Sequence, residues 1–376
     1  MIKRIFIFLL FNFLAFPVFA EAEDSQVAVS RWQYKLHQLN QGNDVKFRIV
    51  QLGDSHTAGG FLTDELRRIL QQKWGDGGIG WVYPNQIKGQ RNSLVNYSGR
   101  QWNILNHFRK DIADFPLGGI VAQSSAQENL QISANSSAYE PQNIMFMIKP
   151  LQVFSTFNVI DATGQVFTVS NQSETEWRNF TARMSLPIQL NAPNQTWQVG
   201  LVNIENTQPK GVIVSALGIN GAKLANSQGW RKNWYDDLAQ TKADLVILAY
   251  GTNEAFNPQL NVEETAQYWR QVIQNIHQKL PDAGILIVGA PESLTQKGKG
   301  CGTRPLRLTE MQKMQQEIAQ EQGAIYWSWQ DAMGGECNMN QWIAKKWAQP
   351  DGVHFTAMGY QKIGNQLAQK IIQLSE

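Results

Sequence analysis

Five short and continuously apolar segments constrain the fold of this chain most strongly. Each has the length of a strand and the composition of strands that are buried on both faces. The segments are Phe47 to Leu52, Val212 to Leu217, Leu245 to Tyr250, Ile285 to Gly289 and Ala324 to Trp329.

Helical periodicity lies between most of these segments. Apolar residues recur at helical spacing from Phe61 to Trp74, from Trp269 to Ile276 and from Ile363 to Ile372. Alternating strands and helices are typical of α/β proteins, so the pattern predicts a doubly wound parallel sheet covered by helices.

The alternation is interrupted once. About 130 residues separate the first helix from the second strand, far more than a crossover needs, and this indicates an inserted domain. Residues 151–159 and 180–190 alternate between apolar and polar side chains, the period of strands with one solvated face. Asp161 to Gly164 lies between two such runs as a hairpin turn, and a further strand begins at Trp197. The insert is therefore predicted to be a small antiparallel β-sandwich, in which Gly118 to Tyr139 forms a loop or linker.

These patterns divide the chain into three parts. Residues 1–20 are a signal peptide, residues 21–90 and 208–376 form one discontinuous α/β domain, and residues 91–207 form the insert. The signal peptide is predicted from Lys3 and Arg4, the apolar run after them and the small residue Ala20. An uncleaved membrane anchor is the alternative, although the run is shorter than the roughly 20 residues that a span requires. A periplasmic or secreted protein is expected, without strong membrane insertion after cleavage.

Charge argues against one class of partner. The formal net charge of +2 equals the contribution of Lys3 and Arg4, since residues 1–20 contain no acidic residue. The mature chain is then nearly neutral, which does not fit an electrostatic nucleic-acid binder.

The two cysteines are Cys301 and Cys337. In an exported protein a single pair of cysteines predicts a disulfide rather than a metal site. Two unpaired thiols are the alternative. Three histidines, His37, His107 and His277, lie far apart without ligand spacing, so no metal site is predicted.

Ser55 is the candidate nucleophile. It lies in Gly53-Asp54-Ser55-His56, directly after the first predicted strand, but a serine needs a base to become nucleophilic. Asp351 and His354 lie three residues apart near the C-terminus, so the aspartate can orient the histidine while the histidine takes the serine proton. Either fragment alone is more often a helix entry or a surface pair.

Two further fragments follow the second and third predicted strands. Ligands of open α/β sheets bind at these carboxyl ends. The backbone N–H of Gly221, the side-chain amide of Asn253 and the N–H of Ser55 could together stabilise an oxyanion. A tight turn at Gly221 and a helix cap at Asn253 are the structural alternatives.

The four fragments together resemble the four blocks of the SGNH, or GDSL-type, hydrolase family. The resemblance covers about residues 44–90 and 208–376 and leaves the insert outside. It implies a flavodoxin-like three-layer α/β/α fold, no cofactor, and ester hydrolysis through an acyl-serine. Ser55 carries over as nucleophile, His354 as base, Asp351 as orienting acid, and Gly221 and Asn253 as oxyanion donors.

Two residues depart from the family pattern: His56 stands where leucine is usual, and Glu254 follows Asn253 where aspartate is common. With the export signal and the insert, these variants look most like peptidoglycan O-acetylesterases of the Ape1 type, whose insert resembles a carbohydrate-binding module. His56 is expected to face solvent or to cap a turn, with a place in the pocket as the alternative, and Asp54 to stabilise the helix entry.

Some of the tryptophans are candidates for contact with a glycan. Among the thirteen, Trp102, Trp177 and Trp197 fall in or beside the insert, and although tryptophan stacks on sugars, most such residues are core.

The function predicted is hydrolysis of O-acetyl esters on a cell-wall glycan, with the 6-O-acetyl of muramic acid in peptidoglycan as substrate. Three alternatives stand beside it. The same site could act on a lipid, an aryl ester or another polysaccharide acetate, it could transfer acetyl groups to a glycan, or the chain could bind cell wall without catalysis.

Overall fold

A computed structural model describes residues 30–99, 102–108, 114–124, 129–136, 140–193 and 196–376. The predicted signal peptide at residues 1–20 lies outside these ranges. Within them, no helix combines the length and the apolar character that crossing a bilayer would demand.

The described chain contains ten α-helices and sixteen strands. The helices are α1 (Arg31–Asn40), α2 (Ser55–Ala58), α3 (Phe61–Trp74), α4 (Trp234–Gln240), α5 (Thr252–Ala255), α6 (Val262–Lys279), α7 (Leu308–Glu321), α8 (Trp329–Ala332), α9 (Met339–Ala344) and α10 (Ala357–Gln373). The strands up to residue 171 are β1 (Lys46–Gly53), β2 (Gly78–Val82), β3 (Val95–Ser98), β4 (Asn103–Asn106), β5 (Ile120–Gln123), β6 (Asn129–Ala134), β7 (Gln142–Pro150), β8 (Ser155–Ile160) and β9 (Val166–Asn171). The remaining strands are β10 (Arg178–Met184), β11 (Ile188–Asn191), β12 (Trp197–Glu205), β13 (Gly211–Gly218), β14 (Leu245–Ala249), β15 (Gly284–Val288) and β16 (Ile325–Trp327), and a 3₁₀ helix spans Leu224–Gly229.

The five predicted apolar segments form one parallel sheet of order β13-β1-β14-β15-β16. In chain order this is 2-1-3-4-5, the flavodoxin-like order, in which ligands bind where the strand order reverses. The reversal lies at β1, whose last residue Gly53 is paired with Gly218 on one side and Ala249 on the other. The predicted α/β fold class is thus confirmed, and its switch point directly precedes Ser55.

Helices cover both faces of the parallel sheet. Apolar side chains of α1, α3 and α10 pack on one face, and those of α4, α6 and α7 pack on the other. The apolar core that contains α4, α6 and α7 also includes Met147 of β7 and Leu201 of β12. Part of the antiparallel region therefore packs against this face of the parallel sheet.

The antiparallel region contains two sheets. One has the order β10-β7-β12-β5-β4 with β2 beside β12, and the other has the order β3-β6-β11-β8-β9. Their facing side chains form a core of their own around Phe146, Phe157 and Trp197. Asp161 lies in the predicted turn between β8 and β9. These separate antiparallel sheets agree with the predicted β-sandwich.

One expectation about this region needs correction. The segment from Gly118 to Tyr139 is not simply a loop or linker, because β5 and β6 lie within it and pair with strands of both sheets. The side chains of Trp102 and Trp197 are buried in the core, as was expected for most of the tryptophans, and have no face for a sugar. Trp177 is half-buried, and its indole N–H donates to the carbonyl of Asp114 at 3.0 Å.

The domain division remains a prediction. Strand β2 precedes the predicted boundary at residue 90, yet it pairs antiparallel with β12. The antiparallel sheet therefore begins before residue 91, because β2 follows α3 after a short turn and continues directly into this region.

Candidate active site

Ser55 is the first residue of α2, at the end of the inner strand β1, which lies between β13 and β14. The turn is tight: a Cβ at Gly53 would lie 2.8 Å from the carbonyl oxygen of Ala249, so only glycine allows this approach. The Asp54 carboxylate accepts the backbone N–H of His56 at 2.9 Å and caps α2. This confirms the predicted role of Asp54 at the helix entry.

A chain of hydrogen bonds joins Ser55 to the C-terminal pair. The Oγ of Ser55 lies 3.0 Å from Nε2 of His354, and Nδ1 of His354 lies 2.7 Å from Oδ2 of Asp351. With the proton on Nδ1 donated to Asp351, Nε2 accepts the hydroxyl proton of Ser55. This is the arrangement that a serine nucleophile, its base and an orienting carboxylate require.

The Asp351–His354 loop organises its own carboxylate. Oδ1 of Asp351 accepts the backbone N–H groups of Val353 and His354 at 2.9 and 3.0 Å. Burial alone would raise the pKa of Asp351, but these N–H groups and the His354 ring hold that pKa below its ordinary value. Asp351 therefore stays ionised at neutral pH and available to the imidazole.

The three predicted oxyanion donors lie on adjacent strand ends. Ser55 follows β1, Gly221 follows β13 and Asn253 lies on α5 after β14, and β13 and β14 flank β1. The Asn253 amide donates one proton to the carbonyl of Ala222 at 2.9 Å, which ties its loop to that of Gly221. A side-chain amide has two N–H donors, so one remains for a ligand.

Two carboxyl groups are buried beneath these loops. Burial raises the pKa of Asp54 to about 7, and it also raises the pKa of Glu254. Glu254 accepts the backbone N–H groups of Leu224 at 2.9 Å and Gly251 at 3.1 Å, so it fixes the loops that follow β13 and β14. Glu254 therefore has a structural role in positioning the loops that carry Gly221 and Asn253.

His56 contradicts the expectation that it faces solvent or caps a turn. Its side chain is buried, and Nδ1 lies 2.8 Å from the hydroxyl of Tyr360 on α10. The rings of Trp329, His354 and Phe355 surround it at centroid distances of 5.1 to 5.8 Å. Burial, followed by the charge on His354, lowers the pKa of His56 to about 3, so the ring is neutral. The sequence missed this role because the ring's neighbours are about 300 residues away.

A second set of contacts escaped sequence analysis. The segment between β2 and β3 borders the Gly221 loop: Gln90 Nε2 donates to the carbonyl of Gly218 at 2.8 Å, and Asn220 Nδ2 donates to that of Gly89 at 3.0 Å. Polar residues in a connecting segment give no sequence signal for such contacts.

The structure contains a disulfide between Cys301 and Cys337. It joins the loop after β15 to the start of α9, beside the Asp351–His354 loop. A buried Glu292 in the same loop forms a bidentate ion pair with Arg304 at 2.7 and 3.1 Å. Across the described part of the chain, no group of three His, Cys, Asp or Glu side chains could hold a metal ion.

Two family models match the chain. The model of the peptidoglycan O-acetylesterase N-terminal region covers residues 77–189, and the model of the GDSL-like lipase/acylhydrolase family covers residues 180–362. The second match contains Gly221, Asn253, Asp351 and His354 but not Ser55, because the antiparallel region separates Ser55 from the rest of the hydrolase fold.

Solved structures extend this similarity to nearly the whole chain. A peptidoglycan O-acetylesterase structure is 44% identical over 92% of this chain and 96% of its own, with a TM-score of 0.86. A putative GDSL-like lipase from Parabacteroides merdae is 20% identical over 44% of this chain and 73% of its own, with a TM-score of 0.35. A search of curated proteins found no match. On the identity and coverage of the first structure, this chain belongs to the peptidoglycan O-acetylesterase family and has the GDSL-type hydrolase fold.

Proposed function

We propose that this chain is an exported serine esterase that removes O-acetyl groups from the muramic acid of peptidoglycan. The observation that carries the proposal is the hydrogen-bonded chain Ser55–His354–Asp351 in a member of this family. The predicted signal at residues 1–20 supports export to the periplasm or beyond, where peptidoglycan lies.

Acylation begins with Ser55. Its Oγ attacks the acetyl carbonyl carbon while Nε2 of His354 takes the hydroxyl proton, and the imidazolium is stabilised by Asp351. The carbonyl oxygen becomes an oxyanion that accepts hydrogen bonds from the N–H groups of Ser55 and Gly221 and from the free amide proton of Asn253.

The tetrahedral intermediate then collapses. The bond to the sugar oxygen breaks, His354 gives its proton to that oxygen, and the sugar leaves as an alcohol. The acetyl group remains on Ser55 as an ester.

Deacylation repeats these steps with water. His354 takes a proton from water as the water oxygen adds to the acyl carbon, and the same donors stabilise the second oxyanion. Collapse releases acetate and returns the proton to Ser55 Oγ. Free enzyme is restored without any other reactant.

The test is acetate release from native, O-acetylated peptidoglycan by the purified wild type and by Ser55→Ala. Removing the nucleophile should lower the rate by about 10⁴-fold or more. Ser98→Ala is the matched control, because Ser98 is exposed in the antiparallel region and its Oγ donates to Gln131.

Three outcomes would overturn the proposal. Full activity in Ser55→Ala would remove the nucleophile assignment. Wild type that hydrolyses an aryl acetate but releases nothing from peptidoglycan would remove the substrate. Labelled acetyl groups that appear on a glycan acceptor instead of in solution would make the chain an acetyltransferase.

A further inference from the structure

Two segments of the hydrolase fold carry lysines without acidic residues. Residues 293–303 contain Lys297 and Lys299, residues 337–350 contain Lys345 and Lys346, and neither segment contains Asp or Glu. These four lysines are exposed, as is Lys362 on α10. We call these five residues the lysine patch.

Both segments border the Asp351–His354 loop. On one side, the N–H of Leu294 donates to the carbonyl of Gly352 at 2.8 Å. On the other, the N–H of Thr356 donates to the carbonyl of Trp347 at 3.0 Å. The lysine patch therefore lies at the rim of the catalytic loop.

Cross-links hold the two segments together. Asn340 on α9 donates to the carbonyls of Gly298 and Gly300 at 2.9 and 2.8 Å, and the disulfide joins the same loop to Cys337, two residues before α9. The patch thus has an ordered backbone beneath its flexible side chains, and this lowers the entropy cost of binding a partner.

The ring of Trp347 contacts two of the lysines, one from each of two elements. The amines of Lys345 and Lys362 lie 4.8 and 4.3 Å from the centroid of its ring. Such contacts keep the two cations over one aromatic side chain.

The charge of the patch is not neutralised within the molecule. In the described ranges, none of the five lysines has a carboxylate within 4.0 Å. The neighbouring carboxylates have other partners: Glu336 pairs with Arg304, Glu65 pairs with Arg68, and Asp351 pairs with the catalytic histidine. A concentrated positive surface in a nearly neutral chain attracts anions.

We propose that the lysine patch binds the carboxylates of the peptide stems that peptidoglycan carries on its muramic acid. This inference rests on the proposed function. The acetyl ester is on carbon 6 of the sugar and the stem is linked through carbon 3, so a stem extends from the same sugar whose acetyl group reaches Ser55. A neutral acetylated polysaccharide offers no such carboxylates, so the patch favours peptidoglycan over it.

The experiment uses two forms of one substrate. Native O-acetylated peptidoglycan is compared with the same material after carbodiimide coupling of its carboxylates to methylamine, which removes the negative charge and leaves the acetyl esters. The variants are Lys297→Gln/Lys299→Gln and Lys345→Gln/Lys346→Gln. The readout is the ratio of kcat/KM on the native to that on the amidated form, which corrects for loss of active enzyme.

Lys73→Gln/Lys242→Gln is the matched control. It removes one charge near the end of α3 and one from the turn before β14. The turn before β14 is at the amino-terminal end of the parallel strands, whereas Ser55 follows the carboxyl-terminal end of β1. Both lysines are exposed and neither has a carboxylate partner in the described structure.

Each patch variant should lower the native-to-amidated ratio by about fivefold, and the control should leave it at the wild-type value. Added salt should reduce the wild-type ratio, because it screens exposed charges. An equal ratio in wild type and patch variants, or an equal loss in the control, would overturn this inference while leaving acetate release by the wild type, and so the proposed function, in place.

Discussion

The two halves of the proposed catalytic site, the nucleophile half with Ser55 and the base half with Asp351 and His354, are held in different ways. Ser55 follows an inner strand of the parallel sheet, β1, between the buried side chains of Asp54 and His56. Asp351 and His354 lie on a loop beyond the last strand, and their side chains are 49% and 43% exposed. The proposed nucleophile is placed by the sheet core, whereas the proposed base is placed by contacts from outside the sheet.

Those outside contacts can be named. Gly352 touches Leu294 from the loop after β15, and Phe355 stacks on Trp329 at 5.4 Å and meets Trp342 edge-on at 5.5 Å. A register shift in the sheet would destroy the nucleophile turn, but a small movement of one loop would suffice to misplace the base. The base half should therefore be the more sensitive to local changes.

After Ser55→Ala, the largest effect is expected on the nucleophile half, from Asn253→Ala. Loss of one oxyanion donor should lower kcat by about 10² to 10³-fold with little change in KM, because the donor acts only as the oxyanion forms. Steady-state kinetics on an aryl acetate measure this split. The control is Asn257→Ala, whose side chain accepts the N–H of Gln259 two residues along the chain. An unchanged kcat in Asn253→Ala would remove this residue from the site.

A smaller effect is expected on the base half, from Gly352→Ala. Gly352 has φ of +76° and an added Cβ would lie 3.0 Å from Cβ of Leu294, so both strain and contact push the loop away. The control is Gly323→Ala, where φ is +64° and an added Cβ meets no atom within 4 Å.

Denaturation and kinetics separate the two causes. Both variants should lose about 1 to 2 kcal/mol of unfolding free energy from the left-handed backbone. Only Gly352→Ala should also lose activity, by about tenfold or more, because the base is displaced. Equal activity in the two variants would show that the loop tolerates displacement and would weaken the contrast between the halves.

The sequence predicted the nucleophile half more completely than the base half. Continuous apolar runs and the turn at Gly53 are local signals, and they located β1, the Ser55 turn and the neighbouring strand ends. The burial of His56 was missed because it depends on Tyr360 and Trp329, which only the tertiary fold brings near. The contacts of Leu294 with Gly352 were missed for the same reason.

The antiparallel region shows the same limit. Its strands β8 and β12 follow clear alternation or apolar runs and were predicted, whereas β5 and β6 lie in a segment rich in Ser, Gln and Asn that resembles a loop. These two strands are short, and they pair with strands distant in sequence as well as nearby. Pairing with these neighbouring strands within each sheet outweighs the weak local preference of such segments.

The pH dependence of stability is expected to depend on His56, which lies where the two halves meet. The folded state holds this ring neutral with a pKa of about 3, whereas the unfolded chain binds a proton near the ordinary pKa of about 6.5. Between these values the unfolded state binds more protons, so acidification lowers the unfolding free energy, by at most about 1.4 kcal/mol per pH unit. His56→Gln removes this titration and retains a group that can bond Tyr360.

The measurement is urea unfolding of wild type and His56→Gln from pH 7 to pH 4. Asp54, whose pKa is raised to about 7, is present in both proteins and has the opposite effect, since acidification relieves the burial of its charge. The difference between the two proteins therefore isolates His56, and the wild type should lose stability relative to the variant as pH falls. His37→Gln on α1 is the control and should follow the wild type. If the difference in unfolding free energy between the two proteins did not change with pH, His56 would not be held neutral in the folded state. The ring would then contribute to the contact between the two halves through packing alone.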